Sequence, residues 1–569
     1  MKRHGIYILL AWAATGTISA QNISEIAKSD PLIITGAIGT QNTYYHSSAG
    51  NGSMSPLSNS IYANLDISVY GINMPFSFYY TNNNTSFSYP HFSFNVSPSY
   101  KNWTFHLGQR SMPFSNYVYN IPFYGAGIEF NNKKLRFGVF YGRLKKAINQ
   151  DPTDPTSRSP QYARYGWGVK VGYGNNRNYL DLYLFRAKDR ISSIDERWQD
   201  RYFPQENIAI GMKGRFSIKR FLSVNGNFAT SVFTNNRFSE KIDHPSVTKW
   251  DKIFDGKYSS LYRFAGDINA NLTLQKFNAL VSYRIVQPDY MTLGSSYISN
   301  NVHSLGLALS TSLFKNKVAL TGNFSAQEDN LNNKQLYTTR GFVYSASSNF
   351  NLAKSFTVNT AYNGYLQCQG DGTAQVNDTT KIHRVMHGFS VSPNYSIESQ
   401  YLGHQIGASY NFNMNKNKNK FSHGVGDVTT HALGVNYSMN VLPIETNFNG
   451  CFNHQTSKST ESKFTTDVFS LGASKALLKN RNLSLSCNLS YSINRMDGQR
   501  TRSFGGDLSA GLTVKEAHNL AFSATVNKYN DYYMVEDLSY SGLDYSINLN
   551  YTFSFTLLEL KRKAKAKKQ

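Results

Sequence analysis

His383 and His387 stand four residues apart. On a helix that spacing sets two imidazoles on one face, within reach of one metal ion. The residues around them alternate as a strand does, and there the same spacing separates the rings by roughly 13 Å. The pair is therefore not expected to share an ion. Asp151-Pro152-Thr153-Asp154-Pro155 offers two carboxylates, but its prolines make it a stiff surface loop in which calcium is not expected. Gly125-Ala126-Gly127 lacks the third glycine and the following helix that a dinucleotide site needs. No Ser/His/Asp set stands out. The chain reads as a non-enzyme with no catalytic residue, no metal and no cofactor.

Charged residues offer a second chemistry if the chain folds into hairpins. A two-residue turn at Asn132-Lys133 sets Asn131 opposite Lys134 and Glu129 opposite Arg136. A turn that pairs Gly174 with Arg177 sets Lys170 opposite Asp181. Each pair then lies on the face turned away from Ile128 and Phe130, and opposite charges so placed contribute about 0.2–1 kcal/mol. Lys213 and Arg215 read as lying on the same inner face. The lining is either ordinary charge pairing in a wet lumen or a basic ring favouring anionic solutes. Tyr529, Tyr532 and Tyr533, with Asp531, Met534, Glu536 and Asp537, crowd one expected outer loop. They serve there as sugar-stacking rings or as part of an aromatic girdle.

The elements that position these residues are strands. From Tyr545 to Phe555 every odd position is apolar or aromatic, and every even position is Ser, Asn or Thr. Leu483–Ile493 and Phe504–Val514 repeat the period of two. A soluble sandwich also alternates, but its outer face is charged. Here the polar face is small and uncharged, and the greasy face carries Tyr and Phe toward strand ends, as a membrane barrel does. Candidate strands number about 24–26. Their joins alternate short (near Ile72-Asn73, Asn132-Lys133, Ile218-Lys219, Lys315-Asn316) and long (46–58, 110–122, 144–163, 189–205, 234–260, 289–301, 369–381, 414–427, 529–540). The fold class is all-β, a single large antiparallel transmembrane barrel over 31–558, with short periplasmic turns and long extracellular loops.

Composition agrees. The 569 residues include only 16% charged side chains but 14% aromatics, and mean hydropathy is −0.43, which excludes a bundle of membrane helices. Lys2, Arg3 and His4, the apolar run Ile6–Ala14 and the small residues before Gln21 form a secretory signal over 1–20. A short periplasmic segment 21–30 follows, too short for a plug domain. Net charge is +23, and six cations fall in 559–569, a basic periplasmic tail. Export points that charge toward outer-membrane lipid and lipopolysaccharide rather than nucleic acid.

Gly108-Gln109-Arg110-Ser111-Met112-Pro113-Phe114-Ser115, with Tyr124–Phe130 and Leu135–Leu144, resembles large outer-membrane barrels of Bacteroidota. The resemblance covers the first third of the chain and implies place and fold, with no activity attached. A barrel this wide leaves an aqueous lumen. Either long loops such as 144–163 and 234–260 fold inward, or a partner occupies it. The function expected is a porin-like channel in the outer membrane of a Gram-negative cell, passing small solutes through a polar, partly basic lumen. The alternatives are a barrel subunit of an export, assembly or uptake complex with a periplasmic or surface lipoprotein partner, and a surface adhesin.

Overall fold

The computed structural model describes residues 31–48, 56–70, 72–82, 92–151, 153, 158–244, 254–379, 381–422, 424–478, 480 and 482–560. The expected leader 1–20, the segment 21–30, the cations of 561–569 and Asp154 lie outside them. Antiparallel strands pair in chain order, and the last closes on the first. Leu32–Ser47 pairs with Leu538–Leu560, with Ile33 opposite Glu559 and Tyr44 opposite Ile547. The barrel strand thus continues two residues past 558. Two short strands, Phe92–Val96 and Ser99–Tyr100, share one place in the wall, interrupted at Ser97-Pro98. Proline has no N–H for the ladder, so a break there costs the sheet little. Counted by place in the wall, the closed barrel has 26 strands.

The alternation sets the two faces. In Leu135–Lys145 the side chains of Phe137, Val139 and Tyr141 point out, and Tyr141 stays 60% exposed. Arg136, Gly138, Phe140 and Gly142 point in. In Gln499–Val514 the outward row runs through Phe504, Leu508, Leu512 and Val514, all but Leu512 well exposed. Apolar side chains gain nothing from water, so this outer face belongs in hydrocarbon, where only closed barrels or helices satisfy every backbone group. No helix among the described residues is long and apolar enough to cross a membrane.

Strand length changes round the wall. Phe123–Asn131 has 9 residues and Leu135–Lys145 has 11, about the 9–11 that a tilted strand needs to cross a bilayer. Tyr337–Ala353 has 17 and His518–Tyr533 has 16, so these hairpins run on past the membrane. That extension corrects the expected loop at 529–540. Tyr529, Tyr532 and Tyr533 stand within His518–Tyr533, and the join is only Met534–Asp537. The ladder also divides them. Tyr529 shares the lumen face with Gly542, Tyr533 shares that face, and Tyr532 faces outward beside Arg500. They form no single cluster.

A cation in mid-bilayer on this wall is costly. Leu508→Arg is expected to lower the unfolding free energy in vesicles by about 2–4 kcal/mol, with Asp507→Arg on the lumen face changing it far less. Denaturant titration of both variants checks the assignment of faces.

Candidate functional site

Two loops fold into the lumen and pack against one wall. Residues 111–122, joining Trp103–Arg110 to Phe123–Asn131, bury Met112, Phe114, Tyr117, Val118 and Tyr119. Residues 287–301, joining Phe277–Val286 to Val302–Leu313, bury Tyr290 and Leu293 in the same cluster. The loops are tied to each other. The Tyr290 hydroxyl donates to the Tyr117 carbonyl at 2.6 Å, Thr292 Oγ1 donates to the Val118 carbonyl at 2.9 Å, and the Asn120 N–H donates to the Gly294 carbonyl at 2.8 Å. They are also tied to the wall. Ser231 Oγ donates to the Met291 carbonyl at 2.6 Å, and the fully buried Asn207 accepts from the Leu293 N–H at 3.2 Å.

The wall beneath has been cleared for them. Gly127, Gly138, Gly168 and Gly211 occupy lumen-facing positions, alongside Ala209, Ala229 and Ala265. A Cβ on Gly168 would come within 2.6 Å of the Phe114 ring and 2.5 Å of the Phe140 ring. One on Gly127 would meet Met112 Sδ at 2.8 Å, and one on Gly211 would meet Val118 Cγ2 at 2.5 Å. Loop rings interleave with wall rings. Tyr119 stacks on Phe140 with centroids 4.4 Å apart, and Phe114 stacks on Tyr183 at 5.4 Å. Each side chain so buried stabilises the folded-in loop by about 1.5–3 kcal/mol. Burial raises the Tyr119 and Tyr290 phenols and pushes Tyr117 up to about 12, with Asp267 adding to the last. All three stay neutral in any physiological medium.

The long joins 110–122 and 289–301 thus supply inward loops. Of the two named as expected to fold inward, 144–163 and 234–260, only Leu144 packs against this buried cluster among the described residues. The loop ends instead tie to neighbouring outer loops, as Tyr162 Oη does to the Tyr202 carbonyl and the Arg237 N–H to that of Pro204. Polar, proline-rich segments gain little from packing on an apolar floor, whereas Met112-Pro113-Phe114 and Tyr290-Met291-Thr292-Leu293 do.

A row of charge crosses the wall from the short-turn end at Arg136 to the long-loop end at Arg284. Arg136, Gly172, Asp181, Lys213, Asn227, Asp267 and Arg284 are successive cross-strand partners. The expected pairs are off by two residues. Glu129 stands opposite Gly138, not Arg136, and Lys170 opposite Tyr183, not Asp181. The turns explain the shift. Asn132 Oδ1 accepts the N–H groups of Lys134 and Leu135, and Asn175 Oδ1 accepts those of Arg177 and Asn178. Each Asn side chain closes a turn two residues longer than the assumed one. A shift of two keeps every side chain on its face, so all four charges still face the lumen but change partners. Arg136 reaches Asp181 at 2.7 Å across the bare Gly172. A Cβ there would sit 1.9 Å from Asp181 Oδ1. Glu129 takes a hydrogen bond from His106 Nε2 at 2.9 Å. Lys213 is exposed to the lumen, and Arg215 flanks the row beside Tyr179 with its Nε enclosed and unpartnered. Ser115 Oγ donates to Asn227 Oδ1 at 2.7 Å, which joins the inward loop to the row.

The opposite wall is bare. Every buried hydrophobic residue among those described lies between Met112 and Val302. Beyond Val302 the lumen face is rich in Asn, Ser and Thr, hydrogen-bonded across strands as in Asn323–Ser345 at 3.1 Å, Ser486–Ser509 at 2.7 Å and Thr525–Ser546 at 2.8 Å. The glycine alternation in 124–127, 137–142 and 165–168 carried the signal for the partition, and the apolar run in 112–119 carried its other half.

A closed barrel with a lipid-compatible exterior and a hydrated interior is a multi-pass outer-membrane protein. No protein-family model matches the chain, and no curated protein matches it. Among solved structures it is similar to the translocation pore of the P pilus usher PapC, at 11% identity over 92% of this chain and 100% of that one, TM-score 0.36. It is also similar to a variant of the ferric enterobactin receptor PfeA from Pseudomonas aeruginosa, at 11% identity over 92% and 80%, TM-score 0.43. OprD from the same organism matches at 10% identity over 66% and 95%, TM-score 0.30. At these values the likenesses carry no argument about solute or partner.

Gly168→Leu is expected to expel Phe114 from its seat and free residues 111–122. Limited proteolysis in detergent would then cut that segment in the variant and spare it in the parent. Equal resistance would refute the fixed partition.

Proposed function

We propose that this protein is a porin-like channel that passes small polar solutes along the uncovered side of its lumen. The observation that carries the reading is the asymmetry of burial: apolar loops cover one wall, and the other is an open surface rich in small hydrogen-bonding side chains. Such a surface wets readily and holds no solute tightly, as conduction requires. The charged row adds a modest preference. Arg136 and Asp181 neutralise each other, whereas Lys213 is exposed and Arg215 forms no ion pair among the described residues, so the row favours anions. Secretion through the leader 1–20 and a Gram-negative, Bacteroidota-type envelope fit this reading. The protein acts without cofactor or catalysis.

Barrel width favours a second reading. Strands about 4.8 Å apart, tilted about 40°, give a cylinder about 50 Å across for 26 of them. Two loops on one wall do not fill that width, so a surface or periplasmic lipoprotein seated in the lumen would explain how the permeability barrier survives.

Planar-bilayer recordings of the purified protein separate the two. Steady ohmic conductance is expected, with Lys213→Glu and Arg215→Glu together moving the reversal potential toward cation selectivity in a salt gradient. Silent bilayers would overturn the channel and favour the occupied barrel.

A further inference from the structure

The outward face at the long-loop end carries a feature that solute passage does not use. In Gln499–Val514, Arg500 and Arg502 continue the outward row of Phe504, Leu508 and Leu512 with no register break toward either neighbour. Arg495 continues the outward row of Leu489, Tyr491 and Ile493, and Lys528 continues that of Phe522, Ala524 and Val526. Four cations therefore project from three adjacent strands on the side that meets lipid. From Val514 to Phe504 the strand is 11 residues long, about one bilayer crossing. Arg502 begins where that crossing ends, at headgroup depth.

Two observations say that Arg500, Arg502 and Lys528 lack a counter-charge. Arg495 and Arg500 are direct cross-strand partners, an arrangement of like charges that destabilises a sheet. Three nearby carboxylates have partners other than Arg500, Arg502 and Lys528. Asp467 binds Arg495 at 2.6 Å and His454 at 2.7 Å, Asp497 accepts the Lys463 N–H at 2.9 Å, and Asp537 accepts the Tyr532 hydroxyl at 2.9 Å. No ion pair joins Arg500, Arg502 or Lys528 to a carboxylate among the described residues, and Arg500 Nε is enclosed without an acceptor. Two other outward arginines of the same rim are paired, Arg340 with Glu328 at 3.0 Å and Arg186 with Glu206 at 2.6 Å. Uncompensated cations above an apolar band fit an anionic amphiphile, whose chains lie along Phe504, Val526 and Ile493 while its phosphate meets the guanidinium groups.

We infer that Arg500, Arg502 and Lys528, beside the Asp467-paired Arg495, form a binding site for the phosphate of an outer-leaflet glycolipid. Arg500 and Arg502 supply the fork-shaped donors, and Lys528 supplies a point charge lower on the wall.

Native mass spectrometry of the full chain in detergent tests this with three probes: diphosphorylated lipid A, the same lipid with its phosphates removed, and inorganic phosphate. The parent is expected to retain the phosphorylated lipid in preference to the dephosphorylated one. Arg500→Gln, Arg502→Gln and Lys528→Gln combined should weaken that retention by about tenfold, as three half-exposed charge contacts would. Arg340→Gln, at the same rim but paired, should leave it unchanged. Heat-modifiable migration on gels confirms that each variant is folded. Equal retention of both lipids, or no loss in the triple variant, overturns the site. Binding of inorganic phosphate as tight as that of the lipid overturns the lipid as its occupant.

Discussion

Hydrogen-bond closure is the constraint on which everything else rests. In hydrocarbon an unpaired peptide group costs several kcal/mol, and no water relieves it. A sheet with an edge cannot survive there. The ladder between Leu32–Ser47 and Leu538–Leu560 removes the edge over the full length of the first strand. Once the wall is closed, each strand has one face for lipid and one for water, and the two-residue period assigns every side chain to one of them. The break at Ser97-Pro98 is tolerated because strands on both sides still pair with both neighbours.

Closure at this size creates a second demand, since the interior is far too wide for side chains to fill. The chain meets it on one side only. Glycine and alanine lower the lumen floor from Trp103 to Val286, and two apolar loops settle into the space. Binding of loop and floor is mutual: the glycines have no side chain to pack, and Phe114, Val118 and Tyr119 would otherwise sit in water. The same bare positions serve electrostatics at Gly172, where Arg136 and Asp181 meet across a strand that separates them. Small residues thus do two jobs, holding the partition and letting charge reach across the wall.

The exterior is not uniform either. Some rim charges are matched, as in Arg186–Glu206 at 2.6 Å and Arg340–Glu328. The sector around Arg500 is not. A wall whose charges balance within the protein is indifferent to its lipids, and one that leaves cations unmatched selects them by headgroup.

The period of two in stretches such as Tyr545–Phe555 was enough to establish the strands, their faces and the closed barrel, with the strand number left at about 24–26, because lipid and water act on each residue locally. It also placed Glu129, Arg136, Lys170 and Asp181 in the lumen, since a slip of two residues leaves the face unchanged. Their partners were decided by Asn132 and Asn175, whose side-chain hydrogen bonds set the turns and hence the register. Whether the aromatics of 529–533 formed a loop was decided by how far the ladder runs beyond the bilayer, which no local pattern encodes. Which loops enter the lumen depended on a floor assembled from glycines on several strands, brought together only when the wall closes. Faces follow from each residue's own solvent, whereas partners follow from contacts between residues distant in the chain, and those exist only in the folded barrel.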